Sequence, residues 1–408
     1  MAADTTTAIL EGTGTHKKEK AIDIFHYCLF CLIGFSSWLL VNGLFIEIPY
    51  FINELPQGYT IASQISLLIQ FCNIFPLVYV AFFKYLRKIP YEIYIGVLIL
   101  LAIVTCYCLA FLWSITYFDY PIYLWTLTIF SGSIGCVSVV IFYPFSSCYN
   151  PILTSAISLG GGLTGLIPSL LGIIQTESDD FTVKQFFLWL SSFLFASLLA
   201  FVVSFHPQLI GKKRDTKFTE LNETITDQPS YNHIFNEDKF VMKPLGYVLI
   251  ANQFSLCFIY YFLIGAVPYA VPDSIFSNGD SLLSSMYIGG MALGSIGRFL
   301  CSFSKLRFSS KPFIFICTGI QLVLGIFVFS QCVAEWITGD WIWTVVFCFI
   351  LFSGLNGYQD TLLYQIAALV HQNVSHIEKL TRYIGLSNQF GAFVGSIISF
   401  LIVFYAFE

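Results

Sequence analysis

The sequence predicts an all-α polytopic membrane protein with eleven transmembrane helices, divided into a group of six and a group of five. The chain of 408 residues is 57% hydrophobic and only 11% charged, whereas about a quarter of the residues of a soluble protein are charged. Basic segments alternate with segments that hold almost no Lys or Arg, and an apolar span separates each pair. A long charged segment, residues 206–243, follows the sixth span and divides the chain.

The predicted spans are each close to the length of about 20 residues that crosses a bilayer core. They are residues 24–45, 61–83, 92–113, 122–142, 152–174, 184–205, 244–266, 281–303, 312–332, 342–366 and 383–406. The first span follows a basic stretch and lacks a small-residue cleavage motif. We therefore expect a retained helix and not a cleaved signal peptide.

The basic residues predict the orientation of the chain. All of them except Lys184 lie in segments that the positive-inside rule assigns to the cytosol. We expect a cytosolic tail (1–23), a six-helix bundle (24–205), a cytosolic linker (206–243) and a five-helix bundle (244–408). An odd span count puts the N-terminus in the cytosol and the C-terminus outside the cell. Two bundles joined in this way are typical of secondary transporters with a substrate site between the halves.

Several other classes of protein are disfavoured by the sequence. The basic residues form no single patch that could follow a nucleic-acid backbone. The chain has no phosphate-binding G-x-x-x-x-G-K-[ST] loop and no H-E-x-x-H, so we expect neither ATP-driven pumping nor an enzyme, and no cofactor, catalytic residue or metal site. The twelve cysteines lie in or beside apolar spans, where they are expected to pack as small apolar residues and not to form a disulfide framework.

Polar side chains inside the predicted spans are the candidates for a substrate site, because such groups are costly in lipid and tend to face a cavity or one another. The candidates are Trp38, Asn42, Glu47, Gln70, Asn73, Ser133, Tyr143, Gln253, Tyr260, Asn356, Gln359 and Asp360. For any single amide, hydrogen bonding between helices is an equal alternative. Instead of binding a substrate, Asp360 could reach interfacial water near the cytosolic end of its helix. Glu47 could instead end a helix at the outer edge of the membrane. Arg298 is expected to be an inner-edge anchor that extends to the headgroups.

Several ordered motifs carry a family resemblance. The first span and the loop after it read S-W-L-L-V-N-G-L-F-I-E-I-P from Ser37 to Pro49, followed by E-L-P-Q-G from Glu54. Further along, the chain reads F-Y-P-F from Phe142 and G-L-T-G-L-I-P from Gly162. These motifs resemble those of the eukaryotic riboflavin transporters, solute carrier family 52. The second half resembles that family more loosely.

The resemblance implies a facilitative or weakly pH-sensitive, sodium-independent riboflavin transporter of the plasma membrane, which works by alternating access. It also implies a six-plus-five arrangement similar to equilibrative nucleoside transporters and other major-facilitator-like folds. Riboflavin is the expected substrate and the lipid bilayer the expected surroundings of a monomer, with no nucleic-acid partner. A transporter of another flat heterocycle, such as a nucleoside, and a non-transporting flavin-binding receptor are the alternatives.

Overall fold

The computed structural model describes residues 12–82, 89–147, 151–178, 180–204, 242–272, 279–302, 308, 310–370 and 374–407. Within these ranges the chain folds into α-helices joined by short turns and forms no β-strand. The amino-terminal group comprises α1 (Gly12–Phe35), α2 (Leu39–Ile46), α3 (Ile48–Glu54), α4 (Thr60–Phe71), α5 (Ile74–Ala81), α6 (Tyr91–Leu112), α7 (Ile122–Ser147), α8 (Pro151–Gly162), α9 (Leu166–Glu177) and α10 (Val183–Ser204). The carboxy-terminal group comprises α11 (Pro244–Ala266), α12 (Gly279–Ser302), α13 (Lys311–Ala334), α14 (Ile342–Val370) and α15 (Val374–Ile402).

The helices confirm the prediction of a multi-pass membrane protein. Among the described residues, nine helices are long and apolar enough to cross a membrane, or ten when the bent pair α1 and α2 counts as one span. Helix α12 coincides with the eighth predicted span, but it is not among these because glycine, serine and Arg298 lower its hydropathy. The count of eleven spans and their division into six and five therefore stay predictions.

Large apolar side chains point outward along these helices, as expected for surfaces that face lipid. Val104 on α6, Val202 on α10 and Val323 on α13 are each more than half exposed. A soluble monomer rarely presents so continuous an apolar surface to water.

Three predicted spans are interrupted near their middle. The first bends by 51° between α1 and α2, the second breaks between α4 and α5, and the fifth breaks between α8 and α9. At the first break the hydroxyl groups of Ser36 and Ser37 donate to the carbonyl oxygens of Ile33 and Gly34, each at 2.7 Å. The backbone N–H groups of the same two serines also donate to these oxygens, each at 3.1 Å, so each carbonyl group accepts two hydrogen bonds at the break.

The apolar core is shared at one end of the molecule and divided at the other. Around the loops that follow α3, α6 and α11, a single cluster joins both groups, with Leu44 and Phe187 of the first and Met286 of the second. At the opposite end the described residues form two separate clusters. One surrounds Phe142 in the amino-terminal group and the other surrounds Leu363 in the carboxy-terminal group. The groups are thus held together mainly at one end.

Polar and aromatic contacts also link the groups at the shared end. The Asn53 side chain donates to Asp280 Oδ2 at 2.8 Å, and the rings of Tyr59 and Tyr269 lie 5.4 Å apart. Burial, followed by the negative charges of Glu47 and Asp280, raises the pKa of Tyr50 to about 12, so this phenol stays protonated at physiological pH. This end of the molecule is closed.

A further contact between the groups lies deeper, where α4 crosses α15. The hydroxyl groups of Ser66 and Ser396 are 2.8 Å apart and both side chains are buried. On the other side of α15, Gly391 and Gly395 lie directly against the backbone of α11, where a side chain would collide with the carbonyl oxygens of Phe254 and Phe258. Small residues permit this close approach of two helices within a membrane.

Candidate substrate site

Trp38 lies in the break between α1 and α2 and packs against α7. A Cβ atom at Gly135 would lie 3.3 Å from its indole ring, so the glycine makes room for the ring. The indole is partly exposed. It offers a flat aromatic surface beside the break.

Asn42 follows one turn later and joins two of the interrupted spans. Its Nδ2 donates to Thr164 Oγ1 at 2.8 Å. Thr164 itself lies in the break between α8 and α9 and donates to the carbonyl oxygen of Gly161 at 2.8 Å. Discontinuous helices that meet near mid-membrane are a common way of building transporter sites, because their free backbone groups can bind a substrate.

The break in the second span, between α4 and α5, carries a chain of hydrogen-bonded polar groups. Asn73 lies between α4 and α5 and donates from Nδ2 to Gln70 Oε1 at 2.9 Å. The thiol of Cys136, on α7, donates to Asn73 Oδ1 at 3.1 Å. Gln70 is almost fully buried, whereas Asn73 is partly exposed.

Two other amino-terminal candidates have a different setting. The hydroxyl group of Ser133 donates to the carbonyl oxygen of Ile129 on its own helix at 2.6 Å, and its oxygen can still accept a second bond. Tyr143 lies outside the residues whose side chains the structure describes.

Glu47 lies at the junction of α2 and α3 and is fully buried. Its Oε2 accepts a hydrogen bond of 3.3 Å from Gln175 Nε2 on α9. Among the described residues no donor reaches Oε1. Burying a carboxyl group with only one neutral partner costs free energy. Glu47 is enclosed by α2, α3 and α9, so it is not a solvent-exposed residue at a helix end.

In the carboxy-terminal group, polar side chains from three other helices converge on Asp360 of α14. Its Oδ1 accepts from Gln253 Nε2 at 2.7 Å and from Asn388 Nδ2 at 3.4 Å. Arg298 Nε lies 3.8 Å from Oδ2 of the same carboxylate. The expected path of Arg298 to the headgroups is thus replaced by an ion pair inside the protein, because Asp360 offers a nearby counter-charge.

The remaining carboxy-terminal candidates separate into two settings. Gln359 is fully buried and donates to Thr318 Oγ1 at 2.6 Å and to the carbonyl oxygen of Ile314 at 3.1 Å, which ties α14 to α13. Asn356 is 6% exposed, and no described donor reaches its Oδ1. Tyr260 stacks on Phe352 with ring centroids 6.2 Å apart and is partly exposed.

The two groups touch beside Arg298. The Cβ atom of Arg298 lies 3.5 Å from the place where a Cβ would stand on Gly162, at the end of α8. The amino-terminal group carries Trp38, Asn73 and Cys136, and the carboxy-terminal group carries Tyr260, Arg298 and Asp360.

Sequence reasoning missed Thr164 and underrated Arg298. Thr164 follows a cluster of glycines, and glycines within an apolar span are typical of close helix packing, so they do not by themselves indicate a helix break. Arg298 stands in an apolar helix, and the rule that an intramembrane charge has a nearby partner would have linked it to Asp360.

The amino-terminal part of the chain matches a known protein family. Residues 22–180 match the family model described as solute carrier family 52, riboflavin transporter. This confirms the resemblance to solute carrier family 52. That family is a family of transporters and not of enzymes.

Individual riboflavin transporters align over part of the chain. Riboflavin transporter member 3-B of Danio rerio is 26% identical over 48% of this chain and 51% of its own length. Riboflavin transporter rft-1 of Caenorhabditis elegans is 30% identical over 44% of this chain and 47% of its own length. Member 3 of Homo sapiens is 33% identical over 36% of this chain and 33% of its own length. The alignments thus span about half or less of these relatives.

Among solved structures, a crystal structure of a mutant form of the nucleoside transporter NupG superposes with a TM-score of 0.56, at 11% sequence identity, over 93% of this chain and 91% of that one. A second NupG structure gives a TM-score of 0.53 at 12% identity, over 94% of this chain and 90% of that one. This likeness shows the fold and extends beyond the part that matches solute carrier family 52.

Proposed function

We propose that the protein is a riboflavin transporter of the plasma membrane that works by alternating access. The observation that carries the proposal is that each helix group holds a cluster of polar and aromatic side chains within its spans, around Asn73 in one group and Asp360 in the other. The match of residues 22–180 to a riboflavin transporter family supports the choice of substrate.

The chemistry of riboflavin fits these surfaces. Its isoalloxazine ring is flat and largely apolar with one uracil-like edge, so a site needs aromatic faces for stacking and groups that donate and accept hydrogen bonds. Trp38 and Tyr260 provide rings, and Gln70, Asn73 and Asn356 provide amides. The ribityl hydroxyl groups require further polar partners, for which Glu47 and Ser133 are candidates.

The proposal includes the arrangement of the chain in the membrane. Residues 24–205 and 244–408 form two bundles of six and five spans that rock about the site, with the tail (1–23) and the linker (206–243) in the cytosol. The closed end of the structure then faces the outside of the cell, and the C-terminus is extracellular. The protein acts as a monomer within the bilayer, without a sodium gradient and with at most weak sensitivity to pH.

Uptake of radiolabelled riboflavin into proteoliposomes tests the function. We expect flux without an ion gradient, unchanged when a sodium gradient is imposed and changed little by a proton gradient. Competition by unlabelled lumiflavin, but not by adenosine, would separate riboflavin transport from nucleoside transport. Binding of riboflavin without any flux would show a flavin-binding receptor and contradict the proposal.

A further inference from the structure

Arg298 and Asp360 form a charged pair in the carboxy-terminal group, and described hydrogen bonds occupy only one oxygen of the carboxylate. Asp360 Oδ1 accepts from two neutral amides, Gln253 and Asn388, at 2.7 and 3.4 Å. Asp360 Oδ2 faces Arg298 Nε at 3.8 Å, which is longer than a hydrogen bond. The two side chains keep 22% and 34% of their surface exposed. Oδ2 therefore retains capacity to accept from a ligand.

The pair lies among helices of the carboxy-terminal group and beside the amino-terminal group. Arg298 adjoins Gly162 of the amino-terminal group. Asp360 accepts from Gln253 on α11 and from Asn388 on α15.

A second observation points to a missing partner at the same place. Gln253 is fully buried and uses its amide nitrogen for Asp360, while no described donor reaches its Oε1. Asn356 Oδ1, one turn before Asp360 on α14, is likewise buried without a described donor. Buried polar atoms normally have a hydrogen-bond partner, and a bound molecule would supply one here once a movement of the side chains exposed these two oxygens.

A ligand for this pair must offer a donor and an acceptor side by side. A carboxylate oxygen accepts and a guanidinium group only donates, so the pair complements a neutral group with an N–H next to a C=O. An anion would meet the charge of Asp360. The rings of Tyr260 and Phe352 stack on each other two turns away from Gln253 and Asp360 on the same two helices, and they favour a planar heterocycle over a flexible polyol.

We propose that Arg298 and Asp360 recognise the cyclic imide edge of the substrate, with Asp360 Oδ2 accepting from the ring N–H and Arg298 donating to the adjacent carbonyl oxygen. This inference rests on the proposed transport of riboflavin and assigns an orientation to it. The flavin ring points its pyrimidine edge at the carboxy-terminal group, and the ribityl chain extends toward the amino-terminal group. Asp360 becomes the residue that determines specificity, and Arg298 contributes to the affinity.

The test uses the full-length protein and compares inhibition of riboflavin uptake by unlabelled riboflavin and by N3-methylriboflavin, which lacks the imide N–H. We expect the methylated compound to inhibit the wild type at least about tenfold more weakly, as for the loss of a hydrogen bond to a charged group. Lumiflavin, which keeps the imide and lacks the ribityl chain, is expected to retain the contact with Arg298 and Asp360.

Asp360→Asn is the most informative variant. Because Gln253 and Asn388 require an acceptor at the Oδ1 position, the new amide nitrogen must occupy the Oδ2 position, where it opposes the imide N–H. We expect riboflavin to lose affinity and the tenfold preference over N3-methylriboflavin to disappear. Arg298→Gln should weaken binding of both compounds. Asp340→Asn and Arg382→Gln remove the same charges at exposed positions and should leave the ratio unchanged.

The outcomes separate this inference from the proposed function. Absence of riboflavin flux in the wild type would contradict the proposed function itself. Wild-type flux with equal inhibition by riboflavin and N3-methylriboflavin would overturn the imide assignment alone. If Asp360→Asn fails to reach the membrane, Arg298→Lys replaces it: this variant keeps the charge but not the planar fork, and an unchanged riboflavin affinity would overturn the role of Arg298.

Discussion

Asn42 and Thr164 share a hydrogen bond of 2.8 Å that ties the break in the first span to the break in the fifth. The two residues are 122 positions apart in the chain. Because this bond joins the two breaks directly, the position of one break fixes that of the other. The bond therefore orients the amino-terminal side of the proposed site.

Asn42→Ala and Thr164→Val should each reduce riboflavin uptake by removing this link. A double-mutant cycle should give a coupling energy of about 0.6 kcal/mol, and at most about 1.7 kcal/mol, as for hydrogen bonds between membrane helices. Thr164→Ser keeps the hydroxyl group and serves as the control. Strictly additive losses in protein that reaches the surface would show that the two breaks act independently.

Gln70→Ala should reduce uptake because Gln70 orients Asn73 at the edge of the site. The expected loss is about tenfold in affinity if Asn73 contacts the substrate through a hydrogen bond in a desolvated site. Gln64→Ala, on the same helix α4 but bonded to Thr60 and Trp125, is the matched control. Wild-type uptake by Gln70→Ala protein at the cell surface would place the site elsewhere.

Gln359→Leu should destabilise the protein and leave its substrate preference unchanged. Gln359 donates to Thr318, to a backbone carbonyl group and to Asn252 Oδ1, so leucine would leave the buried Asn252 Oδ1 without its described donor at a cost of about 1–3 kcal/mol. Thermal unfolding in detergent measures this, with the half-buried Gln389→Leu as the comparison. A changed preference between riboflavin and its analogues, at unchanged melting temperature, would assign Gln359 to the site instead.

Ser66→Cys combined with Ser396→Cys should form a disulfide, because the two hydroxyl oxygens lie only 2.8 Å apart and cysteines in their place come within reach of each other. The crosslink should hold one end of the molecule closed and abolish uptake, and a reducing agent should restore it. The two single variants control for the substitutions. Full activity of the crosslinked protein would mean that α4 and α15 do not part during transport.

The sequence predicted the positions of the spans well, because hydropathy over about 20 residues is a strong signal. It did not predict where spans break, since the polar residues at Ser36 and Thr164 read equally well as packing residues. It also placed Gln359 and Asp360 together among the candidates for the site. Adjacent helical residues are about 100° apart, and Gln359 bonds to α13 whereas Asp360 bonds to α11 and α15.

The uneven distribution of the apolar core affects the equilibrium between the two transport states. Opening the end with a common core must expose side chains such as Leu44 and Met286 to water, whereas parting the end with two separate cores disrupts neither. Without substrate, the population should therefore favour the state that is accessible from the divided end, which is cytosolic in the proposed orientation. Riboflavin outside the cell could bind only the minor state, which is open to the outside. Its apparent affinity would therefore be lower than its affinity for that state, in proportion to the fraction of molecules in it. Variants that weaken the shared core would then raise the affinity measured from outside.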